Sequence, residues 1–522
     1  MTSPMMPALS GLGPATPATL FTPPTSQLAL SDDERRVMNW LSSRLLDPGY
    51  QSALALCQLY RDGMNTVESL GIAIPPELDA LRVVLGWCGT GVGARSERLS
   101  LQGFRMPNQR TVDADLQQAW QGSNLDFEST LTHDDAMTYG RSFATLGVRD
   151  NRDEPPLTTI ESPLSMFASW DLRRNEVSAA YKTYFDVDPD SQTFERQCAV
   201  LYTRTATIYL VAGPRGWEVV ERTPHTLGSV PVIMFANQAS SANRYGCSEI
   251  APSWRNTQDR AARGLARNEV AAEFFASMKI WLLGVDAKKL VRPDGSQASA
   301  WETFVGRVST LEADSNGVLP QVVFQQGQSP DGLIKFIDHE RQVFSGNSAT
   351  PLDYLGAVSD GNPSSADAIT KGDYRLFKRS QRLITQFGNG WEDWGRLALR
   401  IWRGTLPEGA EQLESDWERP TIPTPNADVI SVTTQVKAGM IAPDDDDAMA
   451  SLGWTPVQRR RIAANLKRHQ GQANLDRALE TALRPTTAAG GGDEAPQQPL
   501  DGEQPAALNA LQLSRDGAAT AS

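Results

Sequence analysis

The apolar residues of this chain change their period in long blocks, and that restricts the fold more than any motif does. From 31 to 105 they recur at helical spacing. From 136 to 235 they alternate in short runs rich in β-branched and aromatic residues. Helical spacing returns at 252–284, short strands and turns fill 286–333, and the pattern is helical again from 334 onward. Strands gathered in runs, rather than alternating one by one with helices, specify an α+β fold of several domains. At 522 residues, 40% of them hydrophobic, the chain can build sizeable cores in about two to four domains.

The punctuation within the blocks is legible. "SDDERRVMNWLSSRLL" opens with Ser31 as an N-cap and acids in the first turn, and sets Val37, Trp40, Leu41 and Leu45 on one face. Further helices are expected at about 50–63 and 76–88, with a flexible joint at the glycine-rich "GTGVGARS" (89–96). "RSFATLGV", "LTTIES", "EVSAAYKTYFDV", "QCAVLYTRTATIYLV", "GWEVVERT" and "SVPVIMFAN" read as antiparallel strands separated by Asp, Pro and Gly. The segment 252–284 predicts a helix with Leu265, Ala272, Phe275 and Met278 or Lys279 at helical spacing. Its polar face carries Arg255, Arg260, Arg263 and Arg267. A short helix at 334–346 and a long one at 364–404, kinked near Gly388 and Gly390, follow. The long helix holds eight basic residues against four acidic ones, inside a chain of net charge −13. Residues 405–425 are a Pro-rich connection, and 426–482 are helical, split by "APDDDD" and "GWTP". The compositions of 1–30 and 483–522 predict disordered tails.

Several functions are disfavoured. A net charge of −13 argues against wrapping nucleic acid on a broad basic surface. Cys57, Cys88, Cys198 and Cys247 have no C-x-x-C spacing and read as buried thiols. No apolar run approaches the roughly 18 residues of a membrane span, and no signal peptide is expected. His133, His225, His339 and His469 lack a second His at ligand spacing. "DVDPDSQTFERQ" (186–197) starts like a calcium loop, but Ser191 replaces the central Gly and Gln197 the final Glu, so a solvated turn is expected. The acidic run Asp444, Asp445, Asp446 and Asp447, with a basic cluster in the next helix, allows a metal site or a DNA-reading helix-turn-helix, but reads better as ordinary helix capping with surface charge. No G-x-S-x-G elbow and no H-E-x-x-H is present. No cofactor, metal or catalytic residue is predicted.

The stretch "GAVSDGNPSS" (356–365) has the Gly, four residues, Gly spacing that opens a phosphate loop. The Lys and hydroxyl that reach the outer phosphates and magnesium are replaced by Asn362 and Pro363. Pro363 also lacks the backbone N–H that such a loop needs. Gly356, Gly361, Asn362 and Pro363 therefore mark a polar loop, with Ser364 or Ser365 capping the helix that follows.

Taken in order, "SERLSLQGFR" (96–105), the β region, "LGSVPVIMFAN" (227–237) with "GCSEIAPSWRNTQDRAARGLARNEVAAEFFASMKIWLLG" (246–284), "GNSATPLDYLG" (346–356) and "GNPSSADAI" (361–369) form a pattern over roughly 31–480. It resembles the portal proteins of tailed bacteriophages, in the branch of long-tailed phages of Gram-positive hosts. The resemblance implies a homo-oligomeric ring, usually of twelve subunits, at one capsid vertex, the passage for DNA packaging and ejection. It implies a wing (31–251), a stem helix (252–284), a clip (285–333), a second stem helix (334–346), a tunnel loop (347–363), a long wing helix with its connection (364–425) and a helical crown (426–482). Gly356, Ser359, Asp360, Gly361, Asn362, Pro363 and Ser364 would line the channel and face double-stranded DNA without reading it. Arg255, Arg260, Arg263, Arg267 and Phe275 would meet neighbouring subunits. The implied partners are the terminase, the major capsid and scaffolding proteins, and a head–tail adaptor at the clip. The implied location is the virion, after assembly in the host cytoplasm. The competing readings are an enzyme acting on nucleic acid, either a nuclease or a packaging motor, and a generic structural adaptor without a channel. The enzyme requires paired carboxylates for two metals or a phosphate loop, and neither is evident.

Overall fold

The computed structural model describes residues 29–65, 83–107, 112–149, 151, 153–275, 279–283, 321–325, 331–356, 366–420, 425–442 and, with short interruptions, 445–483. The two expected tails lie almost wholly outside these residues. The chain divides into two compact units, 1–459 and 460–522.

The first helices form where their caps dictate. In α1 (Asp32–Leu45) the Ser31 hydroxyl accepts from the Glu34 N–H, and the Glu34 carboxylate accepts from the Ser31 N–H. Such a reciprocal box satisfies two otherwise orphaned donors. Met38, Leu41 and Leu45 are buried, whereas Trp40 stays at the exposed rim, edge-on to Phe167. Helix α2 (Pro48–Arg61) begins earlier than the apolar pattern indicated, because Asp47 caps it and Pro48 fits the first turn.

Of the helix expected at 76–88, residues 76–82 lie outside the described residues and 83–86 are not helical. Helix α3 runs from Trp87 to Ser96 and contains the glycine-rich segment that read as a joint. The correction has a steric reason. A Cβ on Gly89 would sit 2.5 Å from the Arg61 carbonyl oxygen, and one on Gly91 would sit 2.8 Å from the Trp254 ring. The glycines let neighbouring elements approach a buried helix.

The expected helical block also ends early. Leu101–Arg105 is strand β1, followed by α4 (Ala114–Gly122) and α5 (Leu125–Tyr139). The strand partner of β1 is β12 (Glu414–Trp417), inside the segment that read as plain connection. Neither strand, five and four residues long, has a local signal, since each is stable only beside the other.

The antiparallel region follows the sequence reading. Strands β2 (Arg141–Gly147), β3 (Leu157–Glu161) and β9 (Val232–Ala236) form one sheet in the order β3-β2-β9. Strands β4 (Met166–Asp171), β5 (Glu176–Phe185), β6 (Gln197–Tyr202), β7 (Ala206–Gly213) and β8 (Gly216–Pro224) form a five-stranded meander. Only β4 escaped the sequence reading. One face of the meander packs on α1 through Phe167, Tyr181, Leu201 and Ile208. The other packs on the smaller sheet through Met166, Ala180 and Val200 against Phe143 and Val232. Along β2, Phe143 faces the meander and Ala144 and Leu146 face the opposite core, as the pleat requires.

Helix α6 (Pro252–Phe275) stops short of 284. Strand β10 (Lys279–Leu283) instead pairs with β11 (Gln321–Gln325), Lys279 opposite Gln325. The apolar run "KIWLL" suits either period, and the cross-strand partner decides it. The rest of the expected clip lies outside the described residues. Helix α7 (Asp331–Ser348) exceeds the expected 334–346 at both ends. Helix α8 (Ala366–Arg403) is 38 residues long, assigned as one helix through Gly388 and Gly390. Helices α9 (Pro425–Lys437) and α10 (Pro456–Leu483) complete the described chain. In the acidic run, Asp445 accepts from the Ala448 N–H at 3.2 Å, as a cap does.

The buried side of α8 carries Phe387, Trp391 and Trp394. The two indoles, 5.9 Å apart, meet Phe104, Trp120 and Phe235 with ring centroids 4.6–5.6 Å apart. Trp391 Nε1 donates to His133 Nε2 at 2.9 Å, and Trp394 Nε1 donates to Thr158 Oγ1 at 2.9 Å. The imidazole also stacks on Phe387 at 5.1 Å. Of the cysteines, Cys88 and Cys198 are buried and Cys57 is half-buried. Cys247 is exposed, contrary to the reading of all four as buried, because it lies on an irregular surface stretch; all four are free thiols. Asp186 accepts from Ser191 and Thr193 hydroxyls at 2.6 and 2.5 Å, so its carboxylate closes a local turn.

Two outcomes follow from this packing. Alanine in place of glycine inside a helix normally stabilises by about 1 kcal/mol. At Gly390 the added Cβ would lie 2.7 Å from the buried Phe235 ring, and overpacking costs about 1–3 kcal/mol. Gly390→Ala should therefore lower the melting temperature; an unchanged or raised one would contradict this packing.

Burial pushes His133 down to about 3 from its usual 6.5. Below pH 6.5 the unfolded chain takes up a proton that the folded one refuses until about pH 3. Stability is thus present above 6.5 and lost as pH falls through that window, by at most about 1.4 kcal/mol per pH unit. Melting temperatures at pH 7 and 5 should differ less in His133→Gln than in the wild type. An equal difference would mean that His133 does not contribute.

Candidate functional site

Helix α3 grips both ends of the polar segment that the sequence singled out. Upstream of that segment, α7 ends at Ser348 and a single 3-10 turn (Leu352–Leu355) leads to Gly356. Downstream, α8 begins at Ala366. Arg98, just past the end of α3, donates from the same Nη2 to the Tyr354 hydroxyl and to the Asp373 carboxylate, each at 3.1 Å. One guanidinium therefore joins the last turn before the segment to the second turn of the helix after it. Burial lowers the Arg98 pKa, but the hydrogen bonds to Tyr354 and Asp373 outweigh that and hold it above its ordinary value.

A second arginine works from deeper inside. Arg95 is fully buried and donates to the Gly91 and Ser348 carbonyls. Its guanidinium lies 4.9 Å from the Trp254 ring centroid. The Glu249 carboxylate is 3.7 Å from Arg95 and 3.8 Å from Arg379 on α8. Glu249 takes its hydrogen bonds from Gln238 at 2.6 Å and Asn237 at 3.3 Å. Burial pulls Arg95 down to about 10, opposed by the charge of Glu249, so it remains a cation at neutral pH. Arg95 thus holds the end of α7, and Glu249 ties it to α8.

The two helices expected to form a stem, α6 and α7, pack on one another. Arg260 binds Glu340 through Nε at 3.1 Å and Nη2 at 2.8 Å. A Cβ on Gly264 would lie 2.8 Å from Phe336, which sets how closely the pair approaches. On α6, Gln258 Oε1 accepts from the Cys88 N–H at 2.8 Å, and Asp259 accepts from Tyr60 at 2.7 Å and Asn65 at 3.0 Å. The body that carries α3 therefore also carries α6.

Of the channel residues named from the sequence, only Gly356 lies within the described chain. It is exposed at φ +73°, ending the 3-10 turn in the left-handed region that glycine tolerates. Ser359, Asp360, Gly361, Asn362, Pro363 and Ser364 lie outside the described residues. Among the stem residues, Arg255 is 5.8 Å from the Tyr60 ring, Arg260 pairs within the chain, Arg263 is half-buried and Arg267 is exposed. Phe275 ends α6, and its side chain lies outside the described residues. Sequence reasoning missed Arg95, Arg98, Glu249, Tyr354 and Asp373. The available signal was an Arg on a run of Gly and Ala, a composition that suits a helix only where neighbours press on it.

No group of three His, Cys, Asp or Glu among the described residues is arranged to hold a metal ion. No described helix is long and apolar enough to cross a membrane. The described body is thus of a mixed helix-and-sheet class in which arginines fix the helix ends on both sides of 357–365.

The comparisons give that class its family. The model of the family described as "Phage portal protein, SPP1 Gp6-like" matches residues 68–444, and the chain belongs to this family. The portal protein of Mycobacterium phage L5 is 29% identical over 410 residues, covering 77% of this chain and 82% of that relative. The portal protein of Mycobacterium phage D29 is 28% identical over 411 residues, covering 77% and 83%. Two solved structures show looser likeness. They are the virion of a native gene transfer agent particle (TM-score 0.40, 12% identity, 76% of this chain and 99% of that one) and the neck of a native particle of the same kind, computed with C12 symmetry (TM-score 0.37, 14% identity, 73% and 95%). At those scores the likeness is too loose to bear on this chain.

Removing Arg98 leaves Asp373 nearly buried without its cation. Breaking a buried pair costs up to about 3–5 kcal/mol, and the slight exposure here reduces that to roughly 2. Arg98→Ala should raise amide exchange in 349–356 and 366–376 while the five-stranded sheet stays protected. Unchanged exchange on both sides of the segment would show that Arg98 does not hold them.

Proposed function

We propose that this chain is the subunit of a portal ring of about twelve copies at a capsid vertex, through which double-stranded DNA is packaged and ejected. The supporting observation is the double anchorage by Arg98, with Arg95 and Glu249 behind it. The helix ends that flank 357–365 on both sides are tied to the same arginine, which suits a loop that touches moving DNA without being dragged with it.

In this reading the wing comprises 31–251 with α8 and its connection to 425. Helices α6 and α7 are the stem, 285–333 is the clip, 347–363 is the tunnel loop and 426–482 is the crown. Gly356, Ser359, Asp360, Gly361, Asn362, Pro363 and Ser364 line the channel, and Asp360 brings the only charge among them. A channel that must pass DNA both ways gains nothing from tight phosphate contacts, and a net charge of −13 limits them. The packaging ATPase is a separate terminase, which agrees with the missing phosphate-loop Lys. Capsid and scaffolding proteins surround the wing, and a head–tail adaptor docks at the clip. The assembly forms in the host cytoplasm and resides in the virion.

Particle shape tests the reading. The purified chain of 57.0 kDa should sediment as a complex many times that mass and show rings with a central hole in negative stain. A strict monomer at all concentrations and salts, with no rings recoverable from capsids, would refute it.

A further inference from the structure

Each flank of α8 opens onto its own concavity, one with Arg379 and Arg382 in its lining and the other with Glu392 and Glu414. The buried side of the helix faces the wing through Leu376, Phe387, Trp391 and Trp394. On one flank, Arg379 and Arg382 line a hollow of about 180 Å³ together with Gln238, Glu249 and Gln386. Arg375 lies one turn earlier on the same flank. Arg379 is occupied by Glu249, but neither Arg375 nor Arg382 has a carboxylate partner among the described residues, and both are exposed.

On the other flank, Ile384, Gly388 and Glu392 border a groove of about 370 Å³, closed by Glu414, Ser415 and Trp417 of β12. Gly388 makes this space, since a Cβ there would lie 2.8 Å from Ser415 Oγ. Glu392 is held in place by the Ser415 N–H and hydroxyl, at 3.2 and 2.9 Å. Glu414 is exposed, and no basic side chain lines the groove. At about 100° per residue, the centres of the two flanks stand roughly 140° apart around the helix axis.

We infer that the acidic groove at Glu392 and Glu414 of one copy receives the basic flank at Arg375 and Arg382 of the next copy. This rests on the ring reading above. A head-to-tail ring needs two different patches on each subunit, complementary to one another and turned toward opposite neighbours. One helix with unpartnered cations on one side and an acidic groove on the other supplies both. A two-fold dimer would instead require a single self-complementary patch. Trp417 adds an aromatic wall that suits a guanidinium, which packs on aromatic faces more readily than an ammonium.

Charge reversal tests the contact. At low salt, Glu414→Lys and Arg382→Glu should each reduce the fraction of chain in rings on the order of tenfold, because like charges would then face one another. The double variant Glu414→Lys/Arg382→Glu should restore rings. A one-to-one mixture of the two single variants should do so too, by alternation around the ring. Sedimentation and negative-stain images read the result. Wild-type rings with both single variants equally ring-forming would overturn this contact and leave the ring reading standing. Loss of rings with no recovery in either the double variant or the mixture would also overturn it. A wild-type chain that forms no ring would refute the ring reading and this contact together.

Discussion

The aromatic seam along α8 is the constraint on which the rest of the subunit depends. Phe387, Trp391 and Trp394 press into Phe104, Trp120, Phe235 and His133, which come from a strand, two helices and the smaller sheet. Large aromatic rings bury much apolar surface and pack at restricted angles, so they set position as well as stability. The indole N–H groups add fixed points: Trp391 on α5, Trp394 on β3 and Trp402 on the Asp153 carbonyl. A 38-residue helix anchored at these levels cannot slide without opening several contacts together.

The smaller sheet transmits this order outward. It lies between the α8 core and the five-stranded meander, and its central strand β2 alternates between the two. Helix α1 closes the far face of the meander, with Arg222 reaching back to Glu34 at 2.8 and 2.9 Å. The layers run α1, meander, small sheet, then α5 with α8. Hydrophobic burial holds each layer, and buried polar contacts appear where chain segments from distant parts of the sequence must be fixed in direction.

Helix α3 is the clearest example of such fixing. A buried guanidinium is costly unless its donors find acceptors. Arg95 finds acceptors in the Gly91 and Ser348 carbonyls, and the Glu249 carboxylate 3.7 Å from its Nε balances its charge without a hydrogen bond. The arrangement contributes direction more than stability: it sets the end of α7 against the start of α8. The portal family is structural, and in this member the polar chemistry is spent on holding helix ends.

The sequence by itself determined the mixed helix-and-sheet class and the order of its main blocks. The α+β character, the antiparallel region, the Ser31 cap and the long helix are local or periodic signals, and each survives in the structure; the family pattern is matched by the portal relatives. It also made clear that "GAVSDGNPSS" lacks the groups of a phosphate loop. Tertiary structure decided what depends on partners far away in the chain. Leu101–Arg105 became a strand because Glu414–Trp417 pairs with it, and "KIWLL" became a strand because Gln321–Gln325 does. "GTGVGARS" became a buried helix because Arg61 and Trp254 lie where side chains would be. Arg95, Arg98, Glu249 and Asp373 had no motif to announce them. A charge's role is set by what surrounds it after folding, and spacing along the chain does not carry that information.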